Sequence, residues 1–310
     1  MKTAFLFPGQ GSQKPDILSS LLAQESDAGY LSYLTEQILQ KNISEIDSSE
    51  GLFSTVNVQV NLLIAGVLSA KQLLARGVTA DFVAGHSVGA FAAAVVSEVI
   101  TFQEAVSLVH HRAQLMEKAF PAHYGMAALL GFTENRLIPY LKDHNSRHTP
   151  VYLSNINASD QLVVTGKIDS IAILINELEK AGIRKTKLLD VKVPSHCELM
   201  TSVSQSLRQQ IEQLTLKSPV IPFASNVTGR LLKTADAIGK DLWQSISSPV
   251  KWYDATTLIY ELGTRIFIEM EPSGVLAKLA TEAFPEAEIL NMDSKQIDQI
   301  TVLWNNYQHK

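Results

Sequence analysis

Five consecutive residues, Gly85-His86-Ser87-Val88-Gly89, constrain the fold of this chain more than any other feature. The apolar run Phe82-Val83-Ala84 precedes them and the alanine-rich run Ala90-Phe91-Ala92-Ala93-Ala94 follows. A Gly-x-Ser-x-Gly pattern in that setting reads as a sharp strand-to-helix turn. The serine is held in a strained conformation, and glycines two residues to either side keep the turn clear of neighbouring backbone. A strand feeding straight into a helix is the repeating unit of a parallel sheet.

The rest of the chain extends this pattern. Thr3–Phe7 reads as a buried strand ending in the turn Pro8-Gly9-Gln10-Gly11, and Phe53–Ala75 as a long buried helix closed by Arg76-Gly77. A helix is expected over Ser87–Val96 and another over Phe102–Ala119, which together imply a mostly parallel sheet covered on both faces. From His123 to Lys192 the order changes to strand, helix, strand, strand, helix, strand, with Glu134–Asp143 and Ile168–Ala181 as the helices. That order is the ferredoxin-like unit. The expected fold is therefore α/β, with an inserted ferredoxin-like α+β subdomain. Residues 1–122 and 193–310 form the main domain, 123–192 the small one, and the cleft between them is the default ligand site.

Of 310 residues, 46% are hydrophobic and 18% charged, enough to fill a large core. The net charge of −5, with no dense basic block, points away from nucleic acid. One cysteine, Cys197, excludes an internal disulfide and a cysteine-rich zinc site, and suits the reducing cytoplasm. No metal is expected. Pro8-Gly9 cuts short the apolar N-terminal run, which argues against a signal peptide. The stretch around Val58–Leu68, interrupted by Gln59 and Asn61, reads as too short to span a membrane.

Ser87 on such a turn is a candidate nucleophile, with the Val88 N–H at a helix N-terminus placed to receive an oxyanion. A tight structural turn would leave the same signature. A serine hydroxyl needs a base. Among eight histidines, His110 and His111 fall within a helix, His144 and His148 in a polar loop, and His309 at the chain end. His123 is ambiguous, and His86 should point away from Ser87. His196, in Val193-Pro194-Ser195-His196-Cys197, lies where the chain returns to the main domain. On the residues alone it is balanced between base and structural histidine.

Six ordered motifs carry a more specific signal. Phe7-Pro8-Gly9-Gln10-Gly11-Ser12-Gln13, the Ser87 pentapeptide, His111-Arg112-Ala113-Gln114-Leu115-Met116 and Val193–Cys197 are followed by Ser248-Pro249-Val250-Lys251-Trp252 and Glu271-Pro272-Ser273-Gly274-Val275-Leu276. Together they resemble the malonyl-CoA:acyl carrier protein transacylases, an α/β-hydrolase-like family. The resemblance implies Ser87 as the acyl-carrying nucleophile, His196 as general acid and base, and the N–H groups of Gln10 and Val88 as the oxyanion hole. It implies Arg112 as the clamp for the malonyl carboxylate, which a planar guanidinium can grip with two parallel bonds. Gln59, Asn157 and Gln161 are further cleft candidates. The histidine's orienting partner would be a backbone carbonyl near Ser245, not an aspartate. The resemblance implies no bound cofactor, malonyl-CoA as the thioester substrate and an acyl carrier protein as the partner.

Typical members have glutamate after the second elbow glycine, whereas this chain has Ala90. With His123-Tyr124-Gly125-Met126-Ala127-Ala128, that departure looks closer to the epsilon subunit of malonate decarboxylase, which loads malonyl onto the decarboxylase's own carrier subunit. The expectation favours that subunit. The alternatives are the transacylase of fatty-acid or polyketide synthesis, or an acyl-editing serine hydrolase on the same fold.

Overall fold

The computed structural model describes residues 1–23, 28–119, 123–191 and 193–308. Its strands are β1 (Lys2–Phe7), β2 (Phe82–Gly85), β3 (Tyr124–Leu130), β4 (Val151–Ala158), β5 (Gln161–Lys167), β6 (Lys185–Leu189), β7 (Phe223–Ala224), β8 (Leu231–Leu232), β9 (Thr264–Glu269) and β10 (Glu288–Asn291). In the first half the helices are α1 (Ile17–Leu22), α2 (Ala28–Leu39), α3 (Ile43–Asp47), α4 (Thr55–Ala75), α5 (Gly89–Val96), α6 (Phe102–Ala119) and α7 (Glu134–Arg147). In the second half they are α8 (Ile168–Lys180), α9 (Thr201–Ile211), α10 (Ala235–Gln244), α11 (Trp252–Glu261), α12 (Val275–Ala283) and α13 (Ile297–Gln308).

The larger sheet has the order β10-β9-β1-β2-β7-β8 and is parallel except for β8. Its centre is β1, buried from Thr3 to Phe7, which is why that stretch is continuously apolar rather than alternating. Phe5, Phe7 and Val83 face a core with α4, α5 and α6. Ala4, Leu6, Phe82 and Ala84 face the other way, against α11 and α12. At the end of β9 the buried Glu269 carboxylate accepts the N–H groups of Gly274, Leu276 and Ala277, fixing the start of α12. Across the sheet, Trp304 and Gln308 of α13 both donate to the Thr3 hydroxyl, each at 2.9 Å.

The smaller sheet is antiparallel with the order β4-β5-β3-β6, the ferredoxin-like arrangement expected for residues 123–192. The crossings into and out of it, at 120–122 and 192, lie outside the described residues. Its own core joins α7 and α8 to the sheet through Leu137, Leu141, Ile171 and Leu174. The smaller sheet is tied to the larger domain at β4, by an isolated bridge to Val250 in the segment ahead of α11. Val250 N–H donates to Ser154 O at 2.8 Å, and Ile156 N–H donates back to Val250 O at 2.9 Å.

Three local expectations change. The helix after the turn begins at Gly89 rather than Ser87, because Ser87 itself has φ 55°. Helix α7 continues past Asp143 to Arg147, so His144 is inside a helix and fully buried. The segment containing Val58–Leu68 is a 21-residue helix long and apolar enough to cross a membrane. It is packed inside the protein, with 83% of the apolar window buried; its interruptions bond other buried groups, Asn61 Nδ2 donating to Asp47 at 2.8 Å and Gln59 Oε1 accepting from Arg112.

Candidate active site

Sterics build the turn at Ser87. A Cβ on Gly89 would lie 2.2 Å from Phe7 O, and one on Gly85 would lie 2.3 Å from Ala90 N. Only glycine fits at either position. Ser87 between them adopts the left-handed region that non-glycine residues avoid. Asn226, just past β7, holds this conformation from both sides. Its Nδ2 donates to Gly85 O at 2.8 Å and its Oδ1 accepts Ser87 N–H at 3.0 Å. The buried Asp241 carboxylate in turn accepts the N–H groups of Asn226 and Val227, each at 3.1 Å, and the Ser225 hydroxyl. Sequence reasoning missed Asn226. The available signal was an asparagine directly after the short apolar run Phe223-Ala224, where a strand beside β2 would end.

His196, in the segment between β6 and α9, reaches Ser87. The Ser87 hydroxyl and His196 Nε2 are 2.8 Å apart, and His196 Nδ1 lies 2.6 Å from Ser245 O. A carbonyl can only accept, so the neutral ring carries its proton on Nδ1 and presents a bare Nε2 to the serine. Ser245 O is available because it closes α10, where helix carbonyls lack intrahelical partners. Burial, and then the positive charge of Arg112, push His196 well down from the usual imidazole range, to about 3. The ring is a neutral acceptor throughout the physiological range.

Arg112 is 1% exposed on α6. Its Nη2 donates to Ser87 Oγ at 3.2 Å and its Nη1 to Gln59 Oε1. No carboxylate pairs with it among the described residues, and its Nε–H has no partner. Burial lowers its pKa to about 10, so the guanidinium remains charged at neutral pH. A buried cation without a counter-ion is costly unless an anion joins it.

The structure thus brings Ser87, His196, Arg112 and Gln59 into one hydrogen-bonded cluster. Gln10 joins at its edge, its Oε1 3.4 Å from Gln59 Nε2. Val88 is buried at the N-terminus of α5, and no protein acceptor takes its N–H or that of Gln10 among the described residues. Asn157 meets the turn through His86, whose Nε2 is 3.1 Å from Asn157 Oδ1 and 3.3 Å from Asn155 Nδ2. His86 packs edge-on to Trp252 and so points away from Ser87, as expected. Gln161 starts β5, paired with Ala158, and no hydrogen bond links it to the cluster among the described residues. His309 lies outside the described residues.

Fold and site define a class: an α/β-hydrolase-like protein whose elbow serine is bonded to a histidine that is oriented by a backbone carbonyl. The acyl transferase domain model matches residues 4–303. The chain belongs to that family and, within it, to the malonyl-CoA:acyl carrier protein transacylases. It is 30% identical over 282 residues to the malonyl CoA-acyl carrier protein transacylase of Bacillus subtilis (strain 168), covering 90% of this chain and 89% of that one. The malonyl CoA-acyl carrier protein transacylase structure from Coxiella burnetii superposes with a TM-score of 0.91 at 29% identity, covering 97% of each chain. A malonyl-transacylase solved in complex with its type II PKS acyl-carrier protein gives a TM-score of 0.90 at 26% identity, over 96% of this chain and 98% of that one.

Proposed function

We propose that this protein moves a malonyl group from malonyl-CoA to the thiol arm of an acyl carrier protein through an ester on Ser87. The observation that carries the reading is Arg112: a buried guanidinium with no carboxylate partner among the described residues, bonded to the candidate nucleophile. A substrate bearing one free carboxylate beside its reactive carbonyl supplies the missing anion and is positioned by it.

In the first half-reaction Ser87 Oγ attacks the thioester carbonyl while its proton passes to His196 Nε2. The oxyanion forms against the N–H groups of Val88 and Gln10. The C–S bond then breaks, and His196 returns the proton to the departing coenzyme A thiolate. In the second half-reaction His196 takes the proton of the carrier's thiol, whose sulfur attacks the serine ester. Ser87 leaves and recovers that proton. No bound cofactor enters these steps. The single buried thiol and a coenzyme A substrate suit a cytoplasmic enzyme.

The named relatives are malonyl CoA-acyl carrier protein transacylases, which supports a fatty-acid or polyketide type of carrier as acceptor. A second reading, the malonate decarboxylase epsilon subunit, is favoured by the fully buried Ala90 where typical transacylases have glutamate.

The test is incubation with radiolabelled malonyl-CoA, followed by trapping and mapping of the label. Label on Ser87, lost in Ser87→Ala and passed to a carrier thiol, is the expected result. Supplying fatty-acid, polyketide and decarboxylase carriers in parallel separates the two readings. Release only as free malonate with every carrier present would replace transfer by hydrolysis.

A further inference from the structure

Away from the cleft, α7 and α8 bring together His144, His148 and Glu177. Their ligand atoms all lie within 4.8 Å of one another. His144 is fully buried, with Nε2 2.9 Å from Ser170 Oγ and Nδ1 3.3 Å from Glu177 Oε2. The single hydroxyl hydrogen of Ser170 is already donated to Thr149 O. Its oxygen can therefore only accept from His144, which places the ring proton on Nε2. The lone pair on Nδ1 then faces a carboxylate oxygen, an arrangement of two acceptors that either a proton or a metal ion between them would satisfy.

The His148 ring stands beside it, with centroids 4.9 Å apart, at the C-cap of α7, where the helix end favours positive charge. We propose that His144 Nδ1, one ring nitrogen of His148 and Glu177 Oε2 form a zinc-binding site that pins α7 to α8. Two imidazoles and one carboxylate suit zinc better than the all-oxygen ions magnesium and calcium. The 3.3 Å separation of the His144 and Glu177 atoms matches the edge of a tetrahedron with ligands at about 2.0–2.1 Å. A shift of the half-buried His148 ring closes the third position, and solvent supplies the fourth.

Both other ligands are oriented from behind. Ser170 fixes the His144 tautomer, and Arg147 Nη2 binds the remaining Glu177 oxygen at 3.1 Å, as outer-shell groups do in metal sites. Arg147 also contacts Asp143 at 2.5 Å, so its charge is shared between two carboxylates and Glu177 Oε2 stays free for the ion.

The experiment uses tag-free full-length protein stripped with chelator, with Co²⁺ as a visible probe and Zn²⁺ as competitor. One equivalent of Co²⁺ should produce d–d absorption bands that Zn²⁺ abolishes, and Zn²⁺ should raise the melting temperature. H148Q and E177Q should each weaken binding at least about tenfold, whereas H111Q, on α6, should not. Circular dichroism checks that each variant is folded, and the half-exposed position of His148 makes H148Q the informative one. No saturable one-equivalent binding, or binding unchanged in both H148Q and E177Q, would overturn the site and leave a proton-bridged His144–Glu177 pair.

Discussion

In the proposed reaction Arg112 acts on two things at once: the substrate anion it would receive and the imidazole of His196, whose protonated form its charge disfavours. Arg112→Ala should therefore lower malonyl transfer far more than acetyl transfer, read as the ratio of kcat/KM values. The same substitution removes a positive charge that depresses His196, so the imidazole pKa should rise. Since the ring works as a base only when unprotonated, the acid limb of acetyl transfer should move to higher pH than in the parent. A pH–rate profile that does not move would mean that burial alone sets the histidine. Asn226→Ala tests a different residue-scale device. It leaves the Gly85 carbonyl and the Ser87 N–H without their partner, at a cost of about 1–3 kcal/mol measurable by urea unfolding. It should lower kcat while KM for malonyl-CoA holds. Ser87, His196 and Arg112 were legible because each sits in a compact sequence motif. Asn226 was not, because Ser225-Asn226-Val227-Thr228-Gly229 reads as any polar turn. Its role exists only once β7 lies beside β2.

At the scale of elements, the turn between β2 and α5 is fixed by what its glycines exclude. Gly89→Ala would drive a methyl group into Phe7 O and Pro8 O. It should cost at least about 3 kcal/mol or prevent folding. Gly182→Ala is the matched comparison. Its φ is +81° but nothing lies within 4 Å of the added Cβ, so only backbone strain of about 1 kcal/mol applies. Thermal unfolding of the two variants separates collision from strain, and equal losses would refute the steric account. From β1 to β6, the helices α1–α3 aside, the elements could be placed from apolar runs and helical period; those after Val193 were not placed individually. The last turn of α7 could not be placed, since Asp143-His144-Asn145-Ser146-Arg147-His148 is uniformly polar. It is helical with His144 buried because Ser170, across on α8, takes the ring's Nε2–H, and a pairing between helices leaves no local periodic trace.

At the scale of the whole molecule, two sheets have separate cores, and the smaller is tied to the larger domain at β4 through Val250. The larger sheet and the smaller one should therefore open independently. Amides of β3, β5 and β6 should exchange through a lower free-energy opening than those of β1 and β9. Val250→Pro, which deletes the N–H donated to Ser154 O, should lower protection in β4 and its neighbours while β1 stays protected. Native-state hydrogen exchange resolved by strand checks this, and a uniform fall across both sheets would show a single cooperative unit. The order of strands in the larger sheet also has a consequence for how the chain is made. The smaller sheet draws all its strands from 124–189, so its partners leave the ribosome close together. Strand β1 emerges first, yet one of its two neighbours, β9 at 264–269, and the helix that grips Thr3 are among the last to appear. This strand, buried from Thr3 to Phe7, thus waits half-covered for most of translation, and the inserted subdomain matures before the core that surrounds it.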